Sequence, residues 1–487
     1  MTTERRRLLV ALLATVAVLA PVGWFWQASL VPGTYSVMDM GYPDYGGGPS
    51  AMTHHDLMGR SIATLVEDPD RPADVRVTLT VRKQRFRLAS GQQVDGYTVN
   101  GTSPGPVIHA VQGQLVQVRL VNASVPGGVT LHWHGVDVPN AEDGVAGVTQ
   151  DAVPVGGSFT YRFVADQVGT YWYHSHQVSH AQVQGGLLGA LVVTPKPPTP
   201  APATASTQVD QLAVLHVYDG KPTVNGASGD VPVDAPDGAT VRVRIVNTDN
   251  GATPVWTSGS PFRVLAVDGY ELHGPTPVSN RAVRLTAGGR ADLEVTAPAR
   301  VELGGASALV IGSGAPAASP QPTRLVDFLT YGAPAPLGFD PTKADRRFRY
   351  SIGRRPGFVD GRPGLWWSIN GHLFPDVPMF VVEEGDIVQM HLENHSGAVH
   401  PMHLHGHHAV VLARNGVKAT GSPWWIDSLD VAGGDNYDIA FVADNPGIWM
   451  DHCHNLPHAA QGLVAHLMYA GLTEPFRVGG GKDNQPE

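Results

Sequence analysis

One ten-residue pattern recurs three times in this chain, and its spacing limits the fold more than any other feature. GQLVQVRLVN at 113–122, GATVRVRIVN at 238–247 and GDIVQMHLEN at 385–394 share a first glycine, a valine three residues on and a final asparagine. Each has the period of a half-buried strand and ends on a turn-forming residue. The copies start 125 and 147 residues apart, far longer than a solenoid unit and right for a whole β-sandwich. A chain of 487 residues then holds about three domains. Its 57 glycines, 40 prolines and 16% charged residues fit short strands joined by many turns.

The first and third copies are each followed by paired histidines. His132 and His134, then His174 and His176, follow the first; His403 and His405, then His452 and His454, follow the third. With His400 and His458, ten of the 22 histidines fall in these motifs. On a strand, a His-x-His pair puts both rings on one face, roughly 7 Å apart, which suits one imidazole to each of two metals. Cys453, the only cysteine, sits between His452 and His454 and so faces the opposite way. One strand can then serve two metal sites. Cys453 and His458 offer a thiolate and an imidazole to one copper, and His400 is the candidate for the second imidazole of a trigonal site. The other eight histidines divide as two, three and three among three coppers.

These motifs resemble those of the multicopper oxidases, the three-domain laccase-like group in particular, over roughly residues 70 to 475. The resemblance implies an all-β fold of three cupredoxin-like Greek-key β-sandwich domains and four copper ions: one type 1, one type 2, two type 3. It assigns His400, Cys453 and His458 to type 1 and His132 and His403 to type 2. His134, His174 and His454 go to one type 3 copper; His176, His405 and His452 go to the other. Cys453 then joins the sites through its bonded neighbours, a short electron path. Leu463 stands where many relatives have an axial methionine, and leucine has no donor atom, so the type 1 potential should lie higher. Asp143 matches an aspartate before glycine beside type 2 copper and is the candidate proton relay, ahead of Asp137 and Glu142. Ala459 stands where some bacterial relatives are acidic. Asp451 replaces an apolar residue without an evident reason. His180, His407 and His408 lie outside the ligand pattern and read as supporting or surface groups.

Arg5, Arg6 and Arg7 precede an apolar run from Leu8 to Trp26 broken only by Thr15, Pro21 and Gly23, nearly long enough to span a bilayer. The positive-inside rule places the remainder outside. Pro21 follows the best cleavage site, which favours a membrane anchor over residues 8–30 above secretion after signal removal. The expected divisions are a leader at 1–30, a Met/His/Gly-rich tether at 31–70, and cupredoxin domain 1 at 71–195. A Pro/Thr-rich linker at 196–210, a copper-free domain 2 at 211–335, domain 3 with the type 1 copper at 336–475 and a tail at 476–487 complete them. In the tether, Met38, Met40, Met52, His54, His55 and Met58 could hold Cu(I). A net charge of −10 argues against a nucleic-acid partner for want of a basic face. The lone cysteine excludes an internal disulfide.

The function these readings imply is oxidation of phenols or aromatic amines one electron at a time, coupled to reduction of dioxygen to water. Oxidation of Cu(I) or another metal ion is the alternative within the same chemistry. A copper-storage or electron-transfer protein is the alternative outside it, and would not need the eight further histidines.

Overall fold

The computed structural model describes residues 3–49, 59–197 and 209–487, and these form three β-sandwiches in chain order. Each repeat copy is the same strand of its own sandwich. Leu115–Asn122 pairs parallel with Val75–Arg87 and antiparallel with Ser158–Val164. Thr240–Asn247 does so with Val209–Tyr218 and Arg290–Thr296, and Ile387–Asn394 with Arg346–Val359 and Asn436–Val442. The closing asparagine is buried in each, and its amide donates to backbone carbonyls: Val125 and Val153 from Asn122, Gly251 and Leu285 from Asn247, Ala398 and Val431 from Asn394. A loop that leaves a strand inside a sandwich strands its carbonyls away from water, and the asparagine satisfies them.

The histidine motifs all lie on, or just beyond, strands of the facing sheets. In the first sandwich His132–His134 is an edge strand against Gly169–His174. In the third, Ser428–Val431 is the edge, then His400–Leu404, Ile448–Cys453, Val464–Tyr469 and Pro378–Val382. The second and third sandwiches share one continuous apolar core, whereas the first has its own. The first meets the others through apolar patches around Trp172, Val214 and Leu456 and around Phe86, Val94 and Tyr218, through Val145 and Val148, and through the histidines.

Thr3–Ala28 is a 26-residue helix with no buried residue, long and apolar enough to cross a membrane. The stretch expected as a tether departs from that expectation over its described residues. Tyr42–Asp44 pairs parallel with Pro378–Val382, Thr34–Tyr35 pairs with Val478–Gly479, and Val37, Met40 and Ile62 are buried. The unpaired edge of the third sandwich accounts for this, since a segment rich in glycine and proline can still add a strand to it. Met52, His54, His55 and Met58, and most of the 196–210 linker, lie outside the described residues. The tail packs onto the first sandwich: the Gln485 carbonyl accepts from Val178 N–H at 2.6 Å and the Asn484 side chain from Ala152 N–H at 2.8 Å.

Candidate metal centre

Strand register brings the paired histidines together. His132 stands directly opposite His174, and His403 opposite His452. Four rings from the first sandwich meet four from the third, all buried. Two of the gathered sets are those expected for the type 3 coppers: His134, His174, His454 and His176, His405, His452, each with one ligand atom per residue within 4.8 Å of the others. His132 and His403, the expected type 2 pair, form a third set with His134, and their Nε2 atoms are 3.4 Å apart.

The rings are turned by hydrogen bonds on their outer edges. Nδ1–H donates to a backbone carbonyl from His132 (Asp143, 3.0 Å), His174 (Ser175, 3.0 Å), His176 (Pro486, 2.9 Å) and His403 (Asp427, 2.8 Å). His405 Nδ1–H donates to the Asp143 carboxylate at 3.0 Å. His134 is turned the other way, its Nε2–H donating to Asp427 Oδ1 at 3.2 Å. The opposite nitrogens therefore point inward. His174 Nε2, His176 Nε2, His134 Nδ1 and both nitrogens of His454 are buried with no protein partner, while His405 Nε2 and His452 Nε2 face each other at 3.1 Å. Burial, reinforced by neighbouring imidazoles, pushes His176 and His454 down to about 3, and His134, His174, His403, His405 and His452 well below the usual range. The rings are neutral, with lone pairs directed at common points. Inward orphan nitrogens and outward carbonyl or carboxylate partners are the arrangement that metal-binding histidines need, so the donor set fits copper.

Two carboxylates brace it. Asp143 has Oδ1 3.0 Å from His132 Nδ1 and Oδ2 3.0 Å from His405 Nδ1, bridging a ring of the first sandwich and one of the third. The next residue, Gly144, adopts φ +75°, and a Cβ there would overlap the Leu131 carbonyl, so only glycine lets this turn close on the His132 strand. Asp427 holds His134 through its side chain and His403 through its carbonyl. Burial alone would raise its carboxyl, but the Arg290 guanidinium and the His134 and His408 N–H groups outweigh that and hold it well below the usual range. Gly288 of the second sandwich lies against the His134 and His454 rings, where a Cβ would press on both.

On the opposite face of the Ile448–Cys453 strand, Cys453 Sγ lies 3.6 Å from His400 Nδ1 and 3.8 Å from His458 Nδ1, with 3.2 Å between the two nitrogens. Burial pushes the Cys453 thiol up, so a bound cation must displace its proton. Burial, then His458 and Arg354, push His400 down to about 3. Leu463 is fully buried at this site, its carbonyl accepting from Cys453 N–H at 3.1 Å. His458 is half-buried. Its ring meets that of Trp367 at 4.5 Å, and the exposed Arg354 guanidinium lies 4.5 Å over the same indole.

His407 Nδ1–H donates to the His405 carbonyl (3.1 Å) and its Nε2 lies 2.7 Å from Tyr469 Oη, and His408 lies between Asp427 Oδ2 (3.2 Å) and Asp137 Oδ1 (3.4 Å). Both support the cluster from behind. Sequence reasoning missed Asp427, Arg290 and Glu487. The last has Oε1 3.2 Å from His452 Nδ1 and Oε2 accepting from Ser179 Oγ at 2.7 Å. No motif marks any of the three; Asp427 and Arg290 stand out only as buried charged groups, and Glu487 is partly exposed.

Two family models described as multicopper oxidase match the chain, at residues 80–198 and 341–471. Laccase-1 of Botryotinia fuckeliana is 29% identical over 447 residues, covering 76% of this chain and 77% of that protein. The multicopper oxidase MmcO of Mycobacterium tuberculosis is 29% identical over 465 residues, covering 82% and 88%. A crystal structure of a multi-copper oxidase from Pseudomonas thermotolerans superposes with a TM-score of 0.66 at 25% identity, over 82% of this chain and all of that one.

Proposed function

This chain belongs to the multicopper oxidase family, and from that premise we propose which residues serve its coppers and what reductant it takes. It is a copper-dependent oxidoreductase with four coppers and dioxygen as acceptor. We assign His400, Cys453 and His458 to type 1, His132 and His403 to type 2, and His134, His174, His454 and His176, His405, His452 to the type 3 pair. The inward orphan nitrogens support this assignment. Bound copper supplies the one-electron entry and the four-electron reduction of dioxygen to water. The residues fix geometry, keep water from the buried rings, and place the Asp143 carboxylate where protons are needed.

The reductant is an electron-rich aromatic, a phenol or aromatic amine. The observation that carries this is the partly exposed edge of His458, beside which the exposed Arg354 guanidinium, lying over the buried Trp367 indole, presents a positive charge. That surface attracts a phenolate or a carboxylated phenol and repels a metal cation. The Thr3–Ala28 helix supports placement outside the cytoplasm, as an export signal or an anchor.

The test is substrate charge. A carboxylated phenol should give a higher kcat/KM than a cationic aromatic amine of similar potential, and Arg354→Glu should lower the first by roughly tenfold while sparing the second. Equal responses of both substrates would remove the electrostatic argument.

A further inference from the structure

Beneath the hairpin that covers His458 lies a cavity of about 530 Å3, walled by the N-terminal segment, the chain end and the six-stranded sheet of the third sandwich. In that sheet His466 stands directly across from Met450 on one neighbouring strand and from Met379 on the other. Directly opposed residues share a face, so the three make a Met–His–Met row. Met450 and His466 line the cavity, and Met40 lines it from the N-terminal segment, which is held in place where Pro43 pairs with Met379. All four side chains are buried.

His466 is the anomaly. It is only 4% exposed, and its Nε2 is buried without a hydrogen-bond partner. Burial pushes it down to about 4, so the ring is neutral and can offer a lone pair. It belongs to none of the histidine sets of the oxidase centre. The residues directly across from it are thioethers, which are poor hydrogen-bond partners but good ligands for a soft cation. Asp360, Arg362 and Glu487 also line the cavity, so its walls carry charges of both signs and the soft donors decide what it holds. The volume beyond the row leaves room for an ion to arrive with a small carrier attached.

We propose that Met450 and His466, flanked by Met379 and Met40, bind one Cu(I) ion in addition to the four coppers of the oxidase. The site is distinct from the Arg354 mouth, where the organic reductant docks, and the reductant proposal does not depend on it.

The experiment uses the copper-loaded holoenzyme, reduced without oxygen, supplied with Cu(I) and titrated with a chromophoric Cu(I) chelator. The wild type should hold one Cu(I) beyond four. Met450→Leu, which nearly conserves volume, and His466→Phe should each weaken that ion about tenfold or more. X-ray absorption of Ag(I) bound in its place should show sulfur neighbours in the wild type and fewer in Met450→Leu. The thiolate absorption after reoxidation reads the oxidase centre, so its loss would count against that assignment and not against the cavity. A wild type that holds four ions only, or a fifth held equally by Met450→Leu and His466→Phe, overturns the proposal.

Discussion

Arg290 of the second sandwich and Asp427 of the third meet as a buried bidentate pair, Nη1 2.6 Å from Oδ1 and Nη2 on Oδ2, while the same carboxylate accepts from His134 of the first. A sandwich that contributes no residue to the gathered ligand sets among the described residues thus turns an imidazole of the centre. Removing one partner of such a pair leaves a buried charge unanswered and costs about 3–5 kcal/mol. Arg290→Met should therefore lower unfolding stability by about that much and release copper from the histidine cluster before the thiolate site. Chelator titration with urea unfolding checks both, and a loss under about 1 kcal/mol would mean that the pair is incidental.

Cys453→Ser should abolish the blue colour and turnover yet leave three coppers bound, because Cys453 faces away from the cluster rings while His452 and His454 face them. Metal analysis with absorption spectra decides it. A surviving thiolate band would move the type 1 assignment elsewhere.

Asp143 touches His132 and His405 at 3.0 Å each, so it orients two rings as well as standing where a proton could pass. Asp143→Asn should leave reduction of the type 1 copper by substrate unchanged and slow reoxidation by dioxygen about a hundredfold. Stopped-flow measurement on fully metallated protein separates the roles. Slow reoxidation with full copper supports the relay, and copper loss with normal reoxidation of the remainder supports orientation alone.

Leu463→Met should lower the type 1 potential by about 60 mV, one tenfold step in a one-electron equilibrium, because it offers a thioether where leucine offers none. A redox titration showing no change or a rise would remove Leu463 from the axial position.

Glu474 ties the N-terminal segment to the third sandwich, accepting from Ser36 Oγ and from Val37 N–H at 3.0 Å. Burial, against these hydrogen bonds, raises its carboxyl from 4.5 to about 7. Between those values the unfolded chain releases the proton and the folded one keeps it, so stability falls as pH rises, by about 3 kcal/mol in all, and is level on either side. Glu474→Gln should gain on the wild type between pH 5 and pH 8. A constant difference in Tm across that range would show that Glu474 does not titrate there.

The fold and the gathering of the paired histidines were legible because both follow the strand period. The repeat's asparagine closes the same loop three times, and His-x-His spacing survives as ring pairs on one face. Other features depend on contacts between distant segments. Nothing near Asp427 or Arg290 announces that they will meet, and their meeting makes His134 present Nδ1 where its neighbours present Nε2. The N-terminal segment looked slack because glycine and proline say nothing about an open sheet edge several hundred residues away. Asp451 is buried and still has no physical account.

His452, Cys453 and His454 are consecutive, so the path from thiolate to cluster is fixed by bond lengths whatever the domains do. His400, Cys453 and His458 lie wholly within the third sandwich, whereas the paired histidines are shared with the first, whose apolar core is largely its own. Warming should open the boundary between the two before it melts either sandwich. The molecule would then pass through a state that still takes up one electron and still shows its colour, with no oxygen chemistry left to receive what it has stored.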